Sequence, residues 1–179
     1  MEIGALSENV SSLKKGVKSY ISEYYPNLFK GEISLLVTDP LITLFEKITI
    51  LHREVHRTDE EYPSRYSRHF YYIYKLIQTE LRQRSFNELD KFRSVIENKK
   101  RFFPIKKAKY DDIFLGEARL VPNEEAIKIF ENDYRKMKSM LFGEIPTFEQ
   151  IIDELKVYEI QLNNRIKSHK DWSKLTNQN

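Results

Sequence analysis

Residues 38–76 carry the strongest structural signals in the chain and read TDPLITLFEKITILHREVHRTDEEYPSRYSRHFYYIYKL. Asp39 followed by Pro40 is a typical helix start, because an aspartate side chain accepts hydrogen bonds from the free N–H groups and proline fits the first turn. Apolar residues then recur at helical spacing on both sides of a polar turn at residues 58–63. The stretch therefore predicts two amphipathic helices, at about residues 41–57 and 64–82.

The first helix places a lysine and a histidine at informative positions. Lys47 lies at the border between the apolar and polar faces, and His52 lies inside the apolar arc. We predict that His52 is a hydrogen-bonded core histidine. Lys47 is either a lysine whose stem covers apolar surface or a functional cation. In the second helix, His69 falls in the apolar arc and Tyr72 at its border.

The remaining chain predicts a mainly α fold: a five-helix bundle-like domain with one or two short N-terminal strands. A capping box at Ser85 and Glu88 and another at Thr147 and Gln150 predict two helix starts, and Pro122 predicts a third. The further predicted segments are strands at 1–7 and 33–37, a loop at 8–15, helices at 16–25, 85–101, 122–141 and 147–167, and an irregular stretch at 102–120. We expect one compact domain comprising residues 1–37, the helical residues 38–167 and a polar tail at 168–179.

Composition excludes several classes of function. The 179 residues include no cysteine, so disulfides, thiolate catalysis and cysteine-ligated zinc are excluded. The mean hydropathy is -0.60, and no apolar run approaches the roughly 20 residues that a membrane helix needs. With no secretory signal at the N-terminus either, we expect a cytoplasmic protein without a membrane partner.

Basic clusters and metal-ligand spacings leave alternatives open. The net charge is +3, but Lys and Arg cluster around residues 99–109. Such a cluster is either a solvated face or a surface for phosphate or RNA. His52 and His56 have metal-ligand spacing, but no carboxylate ligand is evident nearby. The side chains of Asp111 and Asp112 are adjacent in sequence and should diverge, so we predict no metal site. Phosphate-loop, dinucleotide-binding, zinc-protease and nucleophile-elbow motifs are absent from the sequence.

Two long passages resemble the AbiEii/AbiGii toxin family of nucleotidyltransferases. The first is DPLITLFEKITILHREVHR followed by PSRYSRHFYYIYKL, and the second is ENDYRKMKSMLFGEIPTFEQIIDELKVYEIQLN. The basic stretch that contains Phe102 and Phe103, and the segment Gly116 to Pro122, fit the same pattern. The resemblance implies the toxin half of a bacterial toxin–antitoxin pair in abortive infection, a defence against phage. It also implies an antitoxin partner, and Mg²⁺ with a nucleoside triphosphate for the full-length family.

The resemblance covers the C-terminal part of the family. Family members begin with a nucleotidyltransferase core that carries a Gly-Ser or Gly-Gly turn and an Asp-x-Asp motif, and neither occurs here. MEIGALSE resembles a later core strand, in which Glu2 takes the place of a third catalytic carboxylate. We therefore expect a truncated or degenerate member, without a cofactor and inactive by itself, that could pair with a separate N-terminal catalytic half.

The resemblance also assigns site residues. Lys47 matches a family lysine thought to contact nucleotide phosphates, so it is the leading catalytic and phosphate-binding candidate. Arg65 and Arg68 match family arginines that either meet phosphate or form structural ion pairs. His52 and His69 are placed in structural or supporting roles. Tyr72 stands where the family has an aspartate, and a tyrosine hydroxyl cannot replace that acid at neutral pH. This departure favours an alternative hypothesis, a non-catalytic helical module that binds an antitoxin, a catalytic half or RNA.

Overall fold

The computed structural model of the protein describes residues 12–29, 31–57, 61–169 and 172. The strand predicted at residues 1–7 and the candidate Glu2 lie outside these residues. The mainly helical prediction with a short N-terminal sheet is confirmed, with helices accounting for 63% of the chain.

An antiparallel hairpin opens the described chain. Strand β1 (Ser12–Val17) pairs with β2 (Ile33–Thr38), with Leu13 opposite Val37. The loop prediction for residues 12–15 and the helix prediction for residues 16–20 are therefore wrong, and only helix α1 (Ile21–Tyr24) remains. Pairing with β2 determines the extended conformation of this segment, because β2 supplies backbone partners that no local pattern in β1 reveals.

Helix α2 (Pro40–Val55) forms the centre of the domain and confirms the first predicted helix. Asp39 accepts a hydrogen bond from the Leu41 N–H at 3.0 Å. Its buried carboxylate also binds Arg84 at 2.8 Å and Lys91 at 3.0 Å. The N-cap thus joins the start of α2 to two later parts of the chain.

The second predicted helix is split in two, α3 (Arg68–Ile77) and α4 (Leu81–Asn87). Thr79 causes part of the interruption, because its hydroxyl donates to the Leu76 carbonyl at 2.7 Å and accepts from the Leu81 N–H at 3.2 Å. A threonine side chain can compete in this way with the backbone hydrogen bonds of a helix.

The predicted capping box at Ser85 is wrong. Ser85 is buried inside α4, where it donates to the Arg82 carbonyl at 2.6 Å and accepts from the Tyr158 hydroxyl at 2.8 Å. Helix α5 (Leu89–Phe102) begins after Glu88, whose carboxylate binds Arg84 and Lys91. The serine is therefore a core contact between helices and caps neither of them.

The second half of the chain follows the prediction more closely. The stretch predicted as irregular carries a 3₁₀ turn (Lys106–Ala108) and the short helix α6 (Tyr110–Phe114). Helix α7 (Glu124–Met137) is capped by Asn123 and followed by a 3₁₀ turn (Lys138–Met140). The predicted capping box at Thr147 and Gln150 is confirmed at the start of α8 (Phe148–Ser168).

A single apolar core lies between these helices. Leu44, Phe45, Ile48 and Leu51 of α2 are fully buried, and the Phe45 ring stacks on Phe92 of α5 with centroids 4.6 Å apart. Trp172 also joins the core, where only 1% of its surface is exposed, in contrast to the polar tail predicted from residue 168. None of the helices in the described ranges combines the length and apolar character needed to cross a membrane.

Candidate functional site

The candidate site lies where α2 packs against α3. Lys47 occupies the predicted border of α2 and is partly buried. Its Nζ has no carboxylate oxygen within 4.0 Å in the described part of the chain. Its charge is nevertheless felt by His69 on α3, so the two side chains are close enough to interact electrostatically.

His69 is the buried centre of the site. Only 4% of its surface is exposed, and its Nδ1 has no hydrogen-bond partner among the described residues. Burial lowers the pKa of His69, and the positive charges of Lys47, Arg68 and Arg53 lower it further, to about 3. The imidazole is therefore neutral at pH 7, in an environment that is already rich in positive charge.

Arg53 does not contribute a free charge to this environment. Its guanidinium binds the buried carboxylate of Glu54 at 2.7 Å, and Glu54 also binds Arg57 at 2.7 Å. Arg53 additionally donates to the Tyr66 hydroxyl at 3.2 Å. By contrast, Arg68 forms no ion pair within the described ranges, so Lys47 and Arg68 are the two uncompensated cations beside His69.

A carboxylate from α7 shapes the turn that leads into α3. Arg65 adopts a left-handed backbone conformation with φ 63°. The Asp133 carboxylate accepts from the Arg65 N–H at 2.7 Å, the Ser67 N–H at 2.9 Å and the Ser67 hydroxyl at 2.6 Å. Burial alone would raise the pKa of Asp133, but these hydrogen bonds hold it below its usual range. The sequence pattern contained no signal for this contact, which spans 66 to 68 residues.

The Arg65 side chain is exposed and makes no ion pair in the residues described. Arg65 lies in the turn before α3, and Arg68 is the first residue of the helix. Because arginine presents a planar fork of donors and lysine a compact charge, this set of residues suits an anion with several oxygens.

Tyr72 lies one turn further along α3 than Arg68, and its side chain is 45% exposed. Its ring contacts that of Tyr71, with centroids 6.1 Å apart. The position that was predicted at the border of the apolar arc is thus exposed to solvent.

His52 is part of the core and not of the anion site. Its Nδ1 accepts from the Arg119 N–H at 3.0 Å, and its Nε2 donates to the Lys109 carbonyl at 3.0 Å. Burial is the main cause that lowers the pKa of His52, to about 4. A neutral His52 therefore ties α2 to two later loops.

The residues with metal-ligand spacing are engaged elsewhere. The His56 Nδ1 donates to the His52 carbonyl at 2.8 Å, and Asp111 binds Lys100 at 2.5 Å. Within the described ranges, no group of three or more His, Asp or Glu side chains is arranged to hold a metal ion.

Comparison with known protein families identifies a model that covers most of the chain. A family model described as "Nucleotidyl transferase AbiEii toxin, Type IV TA system" matches residues 8–154. No curated protein and no solved structure matches the chain. The matched residues include all of α2 and α3 and the segment between them, and hence Lys47, Arg65, Arg68 and His69.

Proposed function

Since the chain belongs to the AbiEii nucleotidyl transferase toxin family, we propose that Lys47 and Arg68, beside His69, bind the phosphates of a nucleoside triphosphate. One feature supports this proposal: Lys47 and Arg68, which form no ion pair among the described residues, both act electrostatically on the buried imidazole of His69. An anion bound there would balance their charge, and Arg65 at the entrance would add a further contact.

Lys47 and Arg68 would contribute differently to phosphate binding. Lys47 reaches the site from the border of α2 as a point charge, and Arg68 approaches from α3 with a fork that can meet two phosphate oxygens. Asp133 holds the preceding turn in place, so the arginines are positioned before a ligand arrives. Such preorganisation lowers the entropic cost of binding.

Calorimetric titration with each ribonucleoside triphosphate tests the proposal. We expect Lys47→Gln to weaken binding about tenfold, because one charge-assisted contact contributes about 1.5 kcal/mol. Lys128→Gln, which removes an exposed charge from α7, is the matched control and should bind as the wild type does. Equal affinities of the wild type and Lys47→Gln would contradict the proposal, as would negligible binding by both.

Histidine NMR resonances provide a second readout of the same binding event. Addition of the triphosphate should shift the ring signals of His69, because an anion changes the field at this buried imidazole. His169, at the end of α8, should be unaffected. A Lys47→Gln variant that loses the His69 response while keeping its fold would support direct contact at this site.

We also propose that these residues bind nucleotide without transferring it. Transfer in this family is expected to use Mg²⁺, and the described residues hold no acidic cluster for such an ion. Tyr72 supplies no carboxylate either. The hairpin of β1 and β2, with Ile33 and Leu36 more than two-thirds exposed, is proposed to belong to a nucleotidyltransferase core that an additional polypeptide segment or partner completes.

The purified chain should therefore transfer no labelled nucleotide to RNA or protein in the presence of Mg²⁺. The assay needs a control reaction with an active nucleotidyltransferase under the same conditions. Product formation by the wild type that is lost in Lys47→Gln would overturn this proposal and show that the carboxylates lie within the chain. Binding of the proposed antitoxin partner is tested in a different experiment, in which the chain is co-expressed with the product of the neighbouring gene.

A further inference from the structure

Residues 99–109 form a basic segment at the C-terminal end of α5. They read KKRFFPIKKAK, so six of the eleven residues are Lys or Arg and none is acidic. The segment comprises the last turn of α5, the following loop and the 3₁₀ turn, and we refer to it as the basic loop. It shares no residue with the candidate nucleotide site.

Aromatic and apolar side chains are interleaved with the cations of the basic loop. The exposed fractions of Phe102, Phe103 and Ile105 are 45%, 38% and 41%. The Lys99 Nζ lies 5.0 Å from the Phe103 ring centroid, and the Arg101 Cζ lies 5.3 Å from that of Phe102. A solvated charged face needs no exposed phenylalanines, whereas proteins that bind single-stranded nucleic acid combine stacking rings with cations.

The end of the basic loop is held in a strained conformation that presents a cation. Ala108 and Tyr110 are buried, and Lys109 between them is exposed with φ 46°. The Lys109 carbonyl accepts from the His52 Nε2 at 3.0 Å, which fixes this backbone to α2. A left-handed conformation costs a non-glycine residue about 1–2 kcal/mol, and here it directs the carbonyl to His52 while the Lys109 side chain stays exposed.

The cations of the loop differ in whether an acidic side chain already accompanies them. Lys100 is paired with Asp111, and the Lys99 Nζ lies 3.7 Å from a carboxylate oxygen of Glu46. Lys106 and Lys109 have no ion pair in the described part of the chain. Both line a groove of about 260 Å³ together with Ile105, Tyr110 and the Lys100–Asp111 pair. A second groove, of about 490 Å³, is lined by Arg101, Phe102 and Glu97 with two further polar residues. Each groove thus combines cationic and aromatic side chains with one carboxylate.

We propose that the basic loop binds a single-stranded polynucleotide. Lys106, Lys109 and Arg101 contact its phosphates, and Phe102 and Phe103 stack on its bases. Phosphate contacts and stacking read no specific sequence, so both RNA and DNA strands satisfy this chemistry. An acidic protein would satisfy the cations but would leave the exposed rings without a planar partner, and it is therefore the disfavoured ligand.

Fluorescence anisotropy with labelled oligo(U), oligo(dT) and a duplex of equal length tests this inference. The buffer contains EDTA and no nucleotide, so the result is independent of the proposed triphosphate site. We expect both single strands to bind more tightly than the duplex, and the two single-strand arms to show whether RNA or DNA is preferred. Polyglutamate should compete poorly, because it offers charge without bases.

Two double variants separate the contributions of charge and stacking. Lys106→Gln with Lys109→Asn should weaken binding at least tenfold and reduce the salt-dependence slope by about 1.4, since each single-strand phosphate contact contributes about 0.7. Asparagine is chosen because it tolerates the left-handed conformation. Phe102→Ala with Phe103→Ala should weaken binding about tenfold or more while leaving the slope unchanged.

Lys128→Gln with Lys138→Gln is the matched control, because it removes two exposed charges from α7 and the turn that follows it. This variant should bind oligo(U) nearly as the wild type does, and circular dichroism should confirm that all variants are folded. Equal loss of affinity in the control, no effect of the phenylalanine changes, or full competition by polyglutamate would each overturn the inference.

Discussion

Replacement of Trp172 with alanine is expected to lower the free energy of unfolding by about 3–5 kcal/mol, the usual cost of truncating a buried tryptophan. The indole is 1% exposed and packs against Phe92 and Phe114, with ring centroids 6.0 and 5.7 Å away. The Arg93 Cζ lies 5.4 Å from the Trp172 ring. The substitution would therefore leave a cavity between α5 and α6.

Urea denaturation followed by far-UV circular dichroism measures this effect. Trp172→Phe should cost less than alanine, because a ring remains and the indole N–H, which has no partner among the described residues, is removed. Ile160→Ala on α8 is the control, because that side chain is 60% exposed. An unchanged midpoint for Trp172→Ala would show that the indole does not pack in solution. The wild-type indole, as the only tryptophan in the sequence, also reports unfolding by its fluorescence.

Replacement of Asp39 with alanine is expected to destabilise the fold by about 3 kcal/mol. The change removes the N-cap of α2, worth about 1 kcal/mol, and a buried carboxylate bound by two cations. The loss should fall at the low end for a buried ion pair, because Arg84 and Lys91 keep Glu88 as a partner. Asp153→Ala, which removes an exposed partner of Lys156, should change stability by less than about 0.5 kcal/mol.

The Asp39 variant should also change the pH dependence of stability. Burial alone would raise the pKa of Asp39, but hydrogen bonds from Arg84, the Leu41 N–H and Lys91 hold it well below its usual range. A carboxylate with a lowered pKa stabilises the fold above its unfolded-state pKa of about 4, and this contribution is lost as the pH falls. The difference between wild type and variant should thus shrink below about pH 4. A difference that stayed constant down to the acid transition would contradict the assignment.

The parts of the fold that could be predicted are those with a local physical cause. Asp39 with Pro40 and Thr147 with Gln150 satisfy backbone groups within one turn, and both helix starts are confirmed. Strand β1, the buried Ser85 and the turn at Arg65 depend on partners far along the chain: β2, Tyr158 and Asp133. No periodicity reveals such partners, so these were the places where prediction failed or was silent.

The same contrast between local and long-range causes applies to the prediction of the candidate site. Helical geometry was sufficient to place Lys47 at the border of α2 and His69 on the inner side of α3. It could not show that Arg53 is neutralised by Glu54 while Arg68 stays uncompensated, since that depends on side-chain packing. The burial of Trp172 was missed for the opposite reason, because a single aromatic residue in a polar stretch gives no periodic signal.

Arg65 and Lys109 are the two non-glycine residues with positive φ in the described ranges, and each carries a charge that a proposed ligand would meet. A stability-guided redesign would replace both with glycine or asparagine, because those residues accept this backbone more readily. The redesigned chain would be expected to melt at a higher temperature and to hold its polyanionic ligands less tightly. Thermostability and ligand affinity are therefore opposed at these two positions, and engineering for one should be assayed for the other.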